Sequence, residues 1–168
     1  MVWNADGTLV AARGMWFAEQ HRTNNTAEMA ALVELMRYLV TPAARLLGRV
    51  NVVGDSKLIV DFCRRASRPG KPELFVGMRQ VQDLSRQLSP RPVFLHVPRE
   101  ANDFADWLAG VARVKEADVD LSEVCRGMPL GSLRPCPPIR AAQILDELQQ
   151  MGQPTSAGSI GTWLYAKD

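Results

Sequence analysis

The chain has little that would tie it to a disulfide scaffold, a thiolate metal site or a membrane. It holds three cysteines and two histidines in 168 residues. Cys63, Cys125 and Cys136 are an odd number without metal-ligand spacing. Free thiols in a reducing, intracellular compartment, cytoplasmic or nuclear, are therefore expected. No segment approaches the roughly 18 consecutive apolar residues of a membrane span. The N-terminus lacks a basic stretch followed by an apolar run, so no signal peptide is expected. A formal charge of +2 is too small to imply a partner by itself.

What remains is an ordinary globular composition, 46% hydrophobic and 23% charged, long enough for one domain with a tail. Charge is unevenly spread. Through Val114 there are 15 Lys/Arg against 11 Asp/Glu, and from Lys115 onward 5 against 7. The same point divides the composition. Residues 1–114 alternate apolar runs with helical stripes. Residues 115–168 hold five of the eleven prolines, with one amphipathic helix expected at Ile139–Gln150 and a strand at Ile160–Ala166.

Met1–Trp3 and Leu9–Glu19 read as strands. Between them, Asn4-Ala5-Asp6-Gly7 is a hairpin signal, since Asp-Gly readily takes positive φ. Thr23-Asn24-Asn25 offers a cap for a helix over Thr26–Val40, with Leu32, Leu35, Met36 and Leu39 on one stripe. Strand Arg49–Gly54, helix Asp55–Ala66, helix Pro72–Leu88, strand Pro92–Val97 and helix Arg99–Val114 follow. Strands alternating with helices predict an α/β layer with some parallel pairing. The leading antiparallel hairpin makes the sheet mixed.

Three carboxylates stand at the edges of these segments. Glu28 shares a helical stripe with Leu32, Leu35 and Leu39, where burial would demand a metal or cationic partner. The plain alternative is a charge that favours the helix dipole. Asp55 ends a strand and begins a helix, where α/β sheets place ligands. A simple helix N-cap is the alternative. Asp106 lies within a helix, with Asn102 and Gly110 four residues to either side. A solvated face is the plain reading there.

Taken in order, the three segments resemble type 1 ribonuclease H. Thr23–Glu28 followed by Met29-Ala30-Ala31-Leu32 resembles its second acidic motif. Gly54-Asp55-Ser56 followed by Lys57-Leu58-Ile59-Val60 resembles the third. His96–Asp106 followed by Trp107-Leu108-Ala109 resembles the fourth, in the form of plant, archaeal and retroelement members. The resemblance covers residues 1–114.

It implies an RNase H-like α/β fold with flanking helices and hydrolysis of RNA in RNA–DNA hybrids. Glu28, Asp55 and Asp106 would be catalytic metal ligands for Mg²⁺, with Mn²⁺ as a substitute. Two-metal sites of this kind activate water and stabilise the leaving oxygen. Asn24 and Asn25 match positions that meet the hybrid's minor groove, where the 2′-OH marks RNA. Lys57 stands where relatives commonly carry glutamine, and a phosphate contact is expected of it. His96 lies ten residues before Asp106, as does a product-release histidine of some relatives. The basic run Arg64, Arg65, Arg68 and Lys71 would neutralise phosphates near the hybrid path or form a solvated loop.

One family feature is not found. The first strand, with its Asp-Gly, would precede the hairpin that here begins at Met1. Asp6-Gly7 sits at the hairpin turn, the wrong place for a central-strand ligand. Three readings stay open: a piece of a longer polyprotein or incomplete product, an inactive RNase H-like module kept for nucleic-acid or protein binding, or replacement of the strand by residues 161–168 with Asp168 as fourth ligand. A sheet missing that strand also leaves an edge open to homodimerisation.

Overall fold

The computed structural model describes residues 1–3, 8–17, 23–42, 44, 50–65, 67–122, 126 and 146. The turn expected at 4–7 and the tail segments, including Asp168, lie outside the described residues. Of the expected helix Ile139–Gln150 only Asp146 is described, and its carboxylate pairs with Lys115. The fold is mixed α/β. Its described strands pair into three two-stranded sheets, two antiparallel and one parallel. Contacts divide the chain into two compact units, Met1–Ala18 with Asp103–Asp168, and Glu19–Asn102.

In the first unit, β1 (Val2–Trp3) pairs antiparallel with β2 (Leu9–Ala11), as the hairpin signal predicts. The second expected strand is broken at Ala12, and β3 (Arg13–Gly14) forms a separate pairing. Its partner is β6 (Val119–Asp120), a strand beyond the composition break at Lys115. Leu121 N–H donates to the Ala12 carbonyl at 2.8 Å, and Leu121 is 1% exposed. A two-residue strand carries too little pattern to be read locally. It exists because Val119 and Leu121 bury apolar surface while the ladder satisfies their backbones.

Helix α4 (Asp103–Lys115) packs on β3 through Leu108 and Ala112. A Cβ on Gly14 would lie 2.6 Å from the Leu108 carbonyl oxygen, so only glycine permits this approach. Phe104 stacks on Trp107 at 5.0 Å and meets Trp3 edge-on at 6.4 Å. The helix ends with Glu116 at φ 48. Ala117 N–H bonds to the Ala112 carbonyl and Glu116 N–H to that of Arg113, closing a Schellman-type cap that turns the chain toward β6.

In the second unit, α1 (Asn24–Leu39), α2 (Lys57–Cys63) and α3 (Pro72–Arg86) surround the parallel pair β4 (Asn51–Gly54) and β5 (Val93–His96). Met29, Val33, Met36, Val52, Ile59, Phe62, Leu74 and Val81 form its core. Thr23 caps α1 by accepting from Thr26 N–H at 3.3 Å. Pro72 begins α3, where its fixed φ and absent N–H are harmless. Past the end of α2, Arg65 takes φ 62. A left-handed conformation costs a side-chain-bearing residue about 1–2 kcal/mol relative to glycine. After β5, Pro98 is extended and the chain makes a single 3-10 turn, Arg99–Ala101, before α4. The helix expected from Arg99 therefore starts at Asp103.

Candidate functional site

Parallel pairing of Gly54 with His96 brings two motifs to the carboxyl end of β4 and β5. Val97 N–H extends the ladder to the Gly54 carbonyl at 3.1 Å. Asp55 follows at once, half-buried. It is not a helix cap, because Ser56 holds that position of α2. Instead Asp55 Oδ1 accepts a hydrogen bond from Asn102 Nδ2 at 2.7 Å. Its main-chain carbonyl accepts from His96 Nε2 at 3.2 Å. Residues from the third and fourth motifs thus meet around one carboxylate.

His96 is exposed and anchored at a strand end by this contact. Asn102 precedes α4 rather than lying on its face, so its amide is free to turn toward Asp55. The helix expected from Arg99 places Asn102 beside Asp106, and the sequence signal for its contact with Asp55 is an amide within the fourth motif.

Glu28 corrects the burial argument. It is exposed, while Met29, Val33, Met36 and Leu39 are the buried residues of α1. The stripe through Leu32 and Leu35 is a half-buried flank of that core. A solvated carboxylate incurs little desolvation, so Glu28 needs no buried partner. It is also the fifth residue of α1, beyond the first turn where the dipole acts most. Asn24 and Asn25 open the same helix, Asn24 exposed and Asn25 half-buried.

Lys57 Nζ contacts Asp61 Oδ2 at 2.6 Å, one helical turn ahead. An expected phosphate contact would have to exchange with this exposed pair, which is weak enough to allow it. In the first unit Asp106 is exposed in the opening turn of α4, opposite Phe104, Trp107, Leu108 and Val111.

Carboxylate oxygens on exposed or half-buried residues are the hard donors Mg²⁺ prefers, and they leave space for the waters it retains. The donor chemistry of Glu28, Asp55 and Asp106 fits that ion. Among the described residues, no three His, Cys, Asp or Glu side chains form a group that could hold a metal.

The small sheets and helices make a mixed α/β protein, consistent with an RNase H-like fold. The sequence model of the reverse transcriptase-like family, an RNase H-like domain family, matches residues 1–112, and the chain belongs to that family. No curated protein and no solved structure matches the chain. Among the described residues, no helix is long and apolar enough to cross a membrane.

Proposed function

We propose that this nuclease-type domain hydrolyses the RNA strand of RNA–DNA hybrids with Mg²⁺ or Mn²⁺ held by Glu28, Asp55 and Asp106. The observation that carries the reading is Asp55, at the carboxyl end of a parallel strand with its oxygen held by Asn102. A bound divalent ion would polarise the scissile phosphate and acidify the attacking water. The chain's own residues do the rest. Asn102 orients the Asp55 carboxylate. His96 steadies the Asp55 main chain. Asn24 and Asn25 contact 2′-hydroxyls in the minor groove. Lys57 exchanges Asp61 for a phosphate.

The test is cleavage of a labelled RNA–DNA hybrid by the full chain with Mg²⁺, beside Asp55→Asn. Cleavage is expected and is lost in the variant. Cleavage that persists in Asp55→Asn rejects this site.

The same assay separates a second reading. An inactive hybrid-binding module would retain salt-sensitive binding without cleavage. Absence of both would leave a protein-interaction role, within a homodimer or a parent polyprotein.

A further inference from the structure

The β4–β5 pair has a second feature at the end away from Asp55. A cleft of about 400 Å³ is bounded by the end of α2, the C-terminal half of α3 and the start of β5. Arg64, Arg65, Arg86 and Arg91 line it, with no acidic residue among the described lining. Arg64 Nε donates to the Phe94 carbonyl at 2.7 Å, which fixes its guanidinium against β5. Arg86 pairs with Asp83, outside the lining. Arg65 and Arg91 have no ion-pair partner among the described residues.

Arg65 and Arg91 thus bring positive charge to the cleft without a paired carboxylate, and a bound anion offsets that charge. Guanidinium groups match phosphate oxygens in bidentate geometry. Gln82 and Ser85 add neutral donors, and Pro92 and Phe94 an apolar wall. The volume falls within the range of about 300–1,000 Å³ typical of small-ligand sites. Cys63 also lines the cleft, and burial pushes its thiol up to about 12. The thiol is therefore uncharged and does not oppose an anion.

We propose that this cleft binds the phosphate of a nucleotide, at a site separate from the carboxylates. The choice of a nucleotide among phosphate-bearing ligands rests on the nuclease reading. The site itself does not, because it shares no residue with Glu28, Asp55 or Asp106.

Calorimetric titration of the full chain with adenosine 5′-monophosphate, adenosine and inorganic phosphate tests it. The monophosphate should bind, more weakly as salt rises, and adenosine should not. Arg91→Gln should weaken monophosphate binding about tenfold or more, as expected for a lost charge-assisted contact. Arg65→Gly should also weaken binding while raising the melting temperature, because glycine adopts φ 62 without strain. A merely structural arginine would not separate those two effects. Asp55→Asn should keep the monophosphate affinity and lose hybrid cleavage, so the cleft and the nuclease reading fail independently. Equal binding of adenosine and its monophosphate, or unchanged binding in Arg91→Gln, overturns the proposal. Binding of inorganic phosphate without the monophosphate overturns the nucleotide assignment.

Discussion

Asn102 Nδ2 donates to Asp55 Oδ1 at 2.7 Å, across 47 residues of chain. The contact fixes one carboxylate oxygen of Asp55. Partners of this kind typically contribute about 10–100-fold to metal affinity or activity. Asn102→Ala should therefore lower hybrid cleavage by about tenfold or more and raise the Mg²⁺ concentration needed. Single-turnover cleavage across a Mg²⁺ series, with circular dichroism to confirm folding, checks it. An unchanged Mg²⁺ requirement would remove Asn102 from the site.

Mg²⁺ binding should stabilise the folded chain by mass action. At a hundred times its dissociation constant an ion adds about 2.7 kcal/mol. Thermal denaturation with increasing Mg²⁺ should show a rising midpoint, and Asp55→Asn should flatten the response. Equal response in both proteins would place Mg²⁺ elsewhere.

Gly14→Ala should destabilise the first unit. The added methyl meets a backbone carbonyl, which cannot rotate away as a side chain can. Overpacking of this kind costs about 1–3 kcal/mol. A lowered urea midpoint measures it. Leu108→Ala should cost about 2–5 kcal/mol at the same contact by opening a cavity.

Asp120 makes the β3–β6 pairing sensitive to acid. Burial alone would raise its pKa. Hydrogen bonds from the Ser122 hydroxyl and main chain, with Arg13 alongside, outweigh burial and hold the carboxyl below the usual range. A depressed folded pKa stabilises above the unfolded value of about 4. That contribution is lost as pH falls through the folded pKa. Urea midpoints measured from about pH 5 downwards should fall less steeply in Asp120→Asn than in the parent chain.

Cys63 should resist alkylation. Thiolate is the reactive form, and a thiol raised to about 12 is almost wholly protonated at neutral pH. Mass spectrometry after brief iodoacetamide treatment should find Cys63 unlabelled in the native chain and labelled in urea. Rapid native labelling would contradict the raised pKa of this half-buried thiol.

Helix positions were legible because their signals are local. Thr23 caps α1, Pro72 opens α3, and apolar stripes run at helical spacing through both. The order of Glu28, Asp55 and Asp106 was legible for the same reason. The rotation of α1 about its axis was not. Its stripe could face inward through Leu32 and Leu35 or through Met29 and Val33, and packing in the core selected the second. That small rotation left Glu28 exposed.

The sequence by itself determined an RNase H-like α/β chain with three ordered carboxylates, since motif, cap and periodicity depend on near neighbours. Only the tertiary structure decided what surrounds them. It joined Arg13–Gly14 to Val119–Asp120, turned Asn102 onto Asp55, and gathered arginines from just past α2, from α3 and from just before β5 into one cleft. These relationships cross long stretches of chain. Strand pairing, apolar burial and side-chain hydrogen bonds create them jointly, and no local window of residues contains that balance.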